Sequence, residues 1–273
     1  MKICDIHTHS NNSFDAHDSV DDMCQSAAKC GLYAVAITDH CEAPLIKEGE
    51  RSRYGYFDKT IPDSFREASA AKLKYSNVLK VLCGIELGEP MHDSGCTQRA
   101  LEYGDFDFII ASVHNIRGFE DFYYLDYNMI NIDKVLNQYF DELLETAEFE
   151  HFDSLAHISY PLRYIKRDTG LIYDLRPYQD KIDLIYKALI KNNKALEINV
   201  SGLYKDFGAS LPDAYQVNRF KELGGKYITI GSDAHCAEDV GKEVEKGIEI
   251  AGNAGFTHYT IFENRKPILI EIS

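Results

Sequence analysis

Basic residues are scarce in this 273-residue sequence. There are 29 Lys and Arg against 44 Asp and Glu, a formal net charge of −15 at pH 7, and the pI is about 5.1. Nucleic-acid binding normally needs a basic stripe, so the charge argues against that class of function. An anionic substrate is not, because bound metal ions would reverse the local potential. No run approaches the roughly 18 apolar residues of a membrane helix, and Lys2, Asp5 and His7 interrupt any leader-like apolar core. The seven cysteines (Cys4, Cys24, Cys30, Cys41, Cys83, Cys96 and Cys236) include no Cys-x-x-Cys pair. An odd, dispersed set reads as the reduced thiols of a cytoplasmic protein. A glycine-rich dinucleotide fingerprint is missing, which disfavours an open nucleotide-binding sheet. Low-complexity tracts, long linkers and close repeats are missing too.

What remains has ordinary globular proportions, 45% hydrophobic and 27% charged. Short apolar runs alternate with helical periodicity. Strands are expected at Lys2–Ile6, Tyr33–Thr38, Leu79–Ile85, Phe106–Val113, Ser154–Ile158, Ala195–Val200, Tyr227–Ile230 and His258–Phe262. Pro267–Ile272 is a further strand at the end. Between them, Val20, Met23, Cys24, Ala27 and Ala28 recur at helical spacing. So do Leu136, Tyr139, Phe140, Leu143, Leu144 and Ala147. Helices are also expected around Asp63–Tyr75, Tyr178–Lys191 and Pro212–Leu223. This alternation predicts an α/β fold with a parallel sheet of βα units, and a chain of this length suggests closure into one barrel domain over 1–273.

Residues of the metal-binding type fall at the ends of those runs. His7 and His9 follow the first, Asp39 and His40 the second, Glu86 the third and His114 the fourth. His157 ends the fifth, Glu197 and Asn199 close the sixth, and Asp233 and His235 the seventh. In a parallel barrel all strand C-termini open on one face, so these side chains would converge. Residues two apart on a strand point the same way, which lets Asp5, His7 and His9 share a face. Imidazoles at that spacing with a later Asp make good chelating geometry for a divalent ion. Asp5 and Asp39 read as groups that orient ligating imidazoles. His92, His151 and His258 lie away from the pattern.

The segments DIHTHS (5–10), TDH (38–40), GIELGE (84–89), SVH (112–114), AH (156–157) and GSDAH (231–235) resemble the PHP (polymerase and histidinol phosphatase) superfamily. DFYYLDY (121–127), SYPLRY (159–164) and EINVSGL (197–203) resemble its bacterial histidinol-phosphatase branch. The resemblance spans nearly the whole chain. It implies a distorted (β/α)7 TIM-like barrel with three divalent metal ions (Zn, Mn or Fe) at the C-terminal ends of the strands. By motif, His7, His9, Glu86 and Asp233 would hold one ion. Glu86 would bridge to a second held by His114 and His157. His17, His40 and His235 would hold the third, with Asp15 in the same loop competing with His17.

The implied activity is hydrolysis of L-histidinol phosphate to L-histidinol and phosphate, a step of histidine biosynthesis. A water bridging the two ions that share Glu86 would be the nucleophile, since clustered divalent ions bring the pKa of bound water to about 7 and polarise phosphoryl oxygens. Arg163 is the expected phosphate clamp and Arg117 the second choice, because guanidinium matches phosphate bidentately. Asp233, His235 or a metal-bound water would protonate the leaving alkoxide. Tyr204 departs from the family, which often has Arg there, leaving Lys205 or Arg163 to substitute. Tyr123, Tyr124, Tyr127, Tyr160, Tyr164 and Tyr173 could form an apolar lid over an imidazole ring. The alternatives are a PHP phosphoesterase for another small phosphomonoester or a nucleotide, an amidohydrolase-type barrel, and a non-catalytic metal-binding barrel. The partner in the first readings is a small molecule, with no nucleic acid or membrane.

Overall fold

The computed structural model describes residues 1–42 and 51–272. Strands β1 (Cys4–Thr8), β2 (Ala34–Ile37), β3 (His40–Glu42), β4 (Lys80–Gly88) and β5 (Phe108–Ser112) come from the first half of the chain. They are followed by β6 (Ser154–Leu155), β7 (Ala195–Asn199) and β8 (Ile228–Gly231), then β9 (His258–Glu263) and β10 (Lys266–Glu271). Helices α1 (Val20–Lys29), α2 (Arg51–Lys74), α3 (Ser94–Leu101), α4 (Ile132–Glu148), α5 (Pro161–Thr169), α6 (Gln179–Lys191), α7 (Ser201–Tyr204), α8 (Ala214–Glu222) and α9 (Val244–Asn253) intervene. None of the described helices is long and apolar enough to cross a membrane.

Seven strands form a nearly closed parallel barrel in the order β1-β2-β4-β5-β6-β7-β8. The seam between β8 and β1 is held just past the strand ends. There Asp233 N donates to His7 O and His9 N to Ala234 O, both at 2.8 Å. Every residue of β1, β2, β5, β7 and β8 is buried, as expected of parallel strands covered by helices outside and side chains inside. The helices supply the outer cover through the periodic faces read from the sequence. α1 buries Val20, Met23, Cys24 and Ala27, and its start is fixed by a Ser19–Asp22 capping box. α4 buries Leu136, Tyr139, Phe140, Leu143 and Ala147 behind an Asn131 cap.

Two features depart from the simple strand pattern. The second run breaks at Thr38–Asp39 and resumes as β3, which pairs with the far end of β4. The run at His258–Phe262 does not join the barrel. It pairs antiparallel with Lys266–Glu271. This hairpin caps the N-terminal end: Tyr259 Oη donates to Lys2 O, Asn264 N to Asp107 and Arg265 Nε to Asp153. Those acceptors immediately precede or closely flank the starts of β1, β5 and β6, so the opposite end is left open.

Packing inside the barrel is close where β8 passes β1. A Cβ at Gly231 would lie 2.3 Å from His7 Cβ and 2.8 Å from Glu197 Oε1. Only glycine permits that approach. Gly231→Ala is expected to destabilise the fold by about 1–3 kcal/mol through overpacking, read as a lower denaturant midpoint. Gly252→Ala, whose Cβ meets only Ile272 at 3.4 Å, should show no such loss.

Candidate metal centre

At the open end, β1 delivers His7 and His9, β3 delivers His40, and β4 carries Glu86 two residues before its last. His114 and His157 lie two residues beyond β5 and β6, and Asp233 two beyond β8. All seven are buried, and His235 is partly buried beside them. Glu86 is the hub. Its Oε2 lies 3.4 Å from His7 Nε2, 3.6 Å from His9 Nε2 and 2.7 Å from His40 Nδ1. Its Oε1 lies 3.2 Å from His114 Nε2 and 3.0 Å from His157 Nε2. Asp233 Oδ1 approaches His9 Nε2 at 3.3 Å and His7 Nε2 at 3.8 Å. The donor sets His7/His9/Asp233, Glu86/His114/His157 and His9/His40/His235 each fall within the span of one ion's ligands.

These residues fit metal ions on chemical grounds. His7 Nε2, His9 Nε2, His40 Nδ1 and Glu86 Oε2 are buried and make no hydrogen bond among the described residues. Buried polar atoms without partners are rare and costly, and four that converge share one remedy, a cation. Charge pulls the same way. Burial disfavours each ionised form, but His40, His114 and His7 outweigh it at Glu86 and hold that carboxyl well below its usual range. At Asp233 burial is likewise outweighed, chiefly by His7 and His9. The imidazoles divide. Glu197 and Glu86 overcome burial to raise His7, Glu42 and Glu86 raise His114, and His40 is pushed up to about 9, mainly by Glu86 against burial. Burial with repulsion from His40 and His235 drives His9 well below its ordinary value, and burial brings His157 to about 4.

Outer partners fix which ring nitrogen faces inward. His7 Nδ1–H donates to Glu197 Oε1 at 2.6 Å, and Glu197 Oε2 accepts from His157 N at 3.1 Å. His235 Nδ1–H donates to Asp233 O at 2.9 Å. Ser13 Oγ stands 3.3 Å from His9 Nδ1, accepts from His40 N at 3.1 Å and donates to Asp39 at 2.7 Å. Asp39 thus acts on the imidazoles only through Ser13; its other donors are Ser10 and Ser64. Asp5 touches no imidazole side chain. It accepts from Ser232 N, Ser232 Oγ and Gly241 N and anchors the loop that carries Asp233. His157 (φ 28°) and Asp233 (φ 56°) occupy the left-handed region, a strained backbone of the kind that collects at functional sites.

The expected site residues are not all brought together. His17 is exposed and its N–H donates to His235 O at 3.2 Å, while its imidazole joins no donor set. Asp15 stands nearer, 3.6 Å from His40 Nε2 and 3.2 Å from His235 Nε2. Arg163 borders the cluster, with Nη2 3.0 Å from Ser201 Oγ and 3.9 Å from Asp233 Oδ2. Its plane lies over Tyr160, 4.9 Å from the ring centre. Arg117 points away, to Glu145 at 2.8 Å and Met91 O at 2.8 Å. Of the tyrosines, Tyr160 stacks on His157 and is hydrogen-bonded by Tyr164, whose ring meets Tyr123. Tyr127 is buried, and Tyr173 turns to Asp133. Tyr204 Oη donates to Ser232 O at 2.8 Å. Glu42 was not singled out from the sequence, although it stands two residues after His40, the spacing that marked His7 and His9.

A nearly closed parallel barrel whose strand ends gather imidazoles around a shared carboxylate defines a class of metal-binding α/β barrel. Within that class the chain belongs to the PHP domain family, which matches over residues 5–201. It is 28% identical over 271 residues to a probable histidinol-phosphatase of Thermotoga maritima, covering 98% of this chain and 99% of that protein. It is 27% identical over 278 residues to a histidinol-phosphatase of Lactococcus lactis, covering 97% and 96%. The crystal structure of the Lactococcus lactis histidinol phosphate phosphatase, in complex with zinc, L-histidinol and phosphate, superposes with a TM-score of 0.81 at 25% identity. That match covers 98% of this chain and 99% of the other.

Because Glu86 is the one carboxylate shared by five imidazoles, Glu86→Ala should leave the folded protein with less tightly bound divalent metal per chain than the wild type. Elemental analysis after dialysis, beside a circular dichroism spectrum, checks this.

Proposed function

We propose that the chain is a metal-dependent phosphomonoesterase that hydrolyses L-histidinol phosphate to L-histidinol and phosphate in the cytoplasm, as a single barrel over residues 1–273. The observation that carries this reading is the buried cluster of unpartnered imidazole and carboxylate atoms beside Arg163. Its support is the whole-length likeness to a protein whose structure holds zinc, L-histidinol and phosphate. We assign one ion to His7, His9, Glu86 and Asp233, and a second to Glu86, His114 and His157. A third falls to His40 and His235, completed by Asp15 or, after a loop shift, by His17. Zn, Mn and Fe all suit such mixed donors. Divalent ions there would acidify bound water and polarise the phosphoryl oxygens.

The chain's own groups do the rest. Arg163 Nε is buried without a hydrogen-bond partner among the described residues, so the guanidinium retains a donor for a phosphate oxygen. Ser201 and the Tyr160 ring hold it in place. Asp233 Oδ2 is steadied by Asn199 Nδ2 at 3.2 Å and Ser201 Oγ at 3.4 Å. That oxygen faces Arg163 and, held ionised chiefly by His7 and His9, would orient the attacking water as a hydrogen-bond acceptor, while the leaving alkoxide would take its proton from a water at the site. In this arrangement His235 Nε2 is committed to the third ion. Tyr160 covers the His114–His157 side, its ring centre 4.9 Å from that of His114 and 5.1 Å from that of His157, and Tyr164 hydrogen-bonds to it.

A second reading, another small phosphomonoester, is favoured by Tyr204, whose hydroxyl is spent on Ser232 O. Phosphate release from L-histidinol phosphate and a panel of other phosphomonoesters separates the two. The first reading requires a kcat/KM for histidinol phosphate far above the rest, and comparable weak rates on all would overturn it. Arg163→Ala should retain its metal and lose about 10–100-fold in kcat/KM, mainly through KM, as a charge-assisted hydrogen bond is worth roughly 1.5–3 kcal/mol. Unchanged kinetics would remove Arg163 from the site.

A further inference from the structure

Glu42 occupies a place prepared for it. On β3 it lies beyond His40 and opposite Gly88 of β4. A Cβ at Gly88 would fall within 2.1 Å of Glu42 Oε2 and 2.9 Å of its Cδ, so the carboxylate fills the room that glycine leaves. From there its two oxygens lie 3.1 and 3.3 Å from His114 Nδ1, and Oε1 lies 3.4 Å from His40 Nδ1. A carboxylate accepts, so the Nδ1 proton of His114 points at Glu42 and the Nε2 lone pair is turned inward. Nε2 then meets Glu86 Oε1 at 3.2 Å and His157 Nε2 at 3.4 Å. The main chain of His114 is fixed from the same strand end, because Glu89 Oε1 accepts from His114 N and Asn115 N. Ring and backbone are held by two carboxyl groups that are themselves hydrogen-bonded to each other.

We propose that Glu42, seated against Gly88, is the positioning residue that sets the tautomer and orientation of His114 for an ion shared with Glu86 and His157. The proposal rests on the metal-centre reading above. It assigns Glu42 no bond to the ion: the carboxylate holds a proton acceptor against Nδ1 and nothing more. Partners of this kind typically contribute 10–100-fold to metal affinity.

The test uses the full chain, stripped with a chelator and titrated with Zn²⁺ in the absence of substrate. Zinc per chain and affinity are read by calorimetry, and the His114 tautomer by ¹⁵N NMR of the zinc-loaded form. Glu42→Ala should weaken one zinc site by about 10–100-fold and shift His114 away from the Nδ1–H tautomer. Glu42→Gln, isosteric and still able to accept through its amide oxygen, should recover most of both. Gly88→Ala, which pushes the carboxylate off its seat, should resemble Glu42→Ala. Wild-type affinity and tautomer in Glu42→Ala and Gly88→Ala would overturn the proposal. So would a Glu42→Gln that binds as weakly as Glu42→Ala with the tautomer intact, since the carboxylate would then be a ligand. A wild-type chain that binds no zinc would remove the metal-centre reading itself. Failure to hydrolyse histidinol phosphate would leave the positioning role standing.

Discussion

The Glu86 carboxylate is the interaction on which the rest of this end of the molecule depends. It is fully buried and touches five imidazoles. A carboxylate removed from water loses several kcal/mol of solvation, which only well-placed positive charge can offset. The fold is arranged to bring that charge in. β4 runs nine residues, long enough to carry Glu86 up to the mouth. The break at Thr38–Asp39 lets β3 pair with the end of β4, so His40 sits directly across from Glu86. Protonation cannot satisfy all five imidazoles together, because His40 and His235 repel charge on His9 and His114 repels it on His157. The unprotonated nitrogens are the lone pairs a metal ion needs.

Around this hub the acidic residues divide their work by distance. Glu197 and Glu42 accept hydrogen bonds from imidazoles and turn the opposite nitrogens inward. Asp5, Asp39 and Glu89 stand one step farther out and tie down loops through main-chain and hydroxyl donors. Burial outweighs those bonds and raises all three carboxyls, so they hold loops without adding full negative charge to the mouth. Three buried carboxyl groups are therefore structural at the same face where others are chemical. The left-handed backbones of Glu89, His157 and Asp233 lie among them, strain held in place by those hydrogen bonds.

Much of the barrel and the centre was legible in the sequence because both follow from short-range rules. A parallel strand buried on both faces is a plain apolar run, and residues just past its end must face the mouth. That led His7, His9, Glu86, His114, His157 and Asp233 to be expected on one face, and the structure brings their donor atoms together there. What escaped depends on contacts between distant segments. Nothing local in HYTIF distinguishes a barrel strand from half of a capping hairpin; the choice is made by Asp107 and Asp153, which receive Asn264 and Arg265. Asp39 resembled an imidazole-orienting group by adjacency to His40, but three serines claim it. Asp15 and His17 occupy one loop, and its path sends the carboxylate inward and the imidazole out. Arg117 follows His114 by three residues, yet Glu145 on α4 draws it to the outer surface.

The placement of Arg163 bears on how so acidic a mouth can accept a phosphate ester. Glu86, Asp233, Glu197 and Glu42 all point toward the cluster, and among the described residues the guanidinium of Arg163 is a buried cation beside it, 3.9 Å from Asp233 Oδ2. Tyr204 has given its hydroxyl to Ser232, and exposed Lys205 reaches only the carbonyl of Asp233, at 3.5 Å. In the metal-free pocket the imidazoles of His7, His40 and His114, raised by those carboxylates, share the offset with Arg163. Divalent ions on the unpartnered nitrogens would replace those protons with more positive charge and strengthen the pull on the proposed dianionic substrate. The selectivity of the pocket for phosphate resides in the charge that the imidazole cluster gathers, with Arg163 supplying direction.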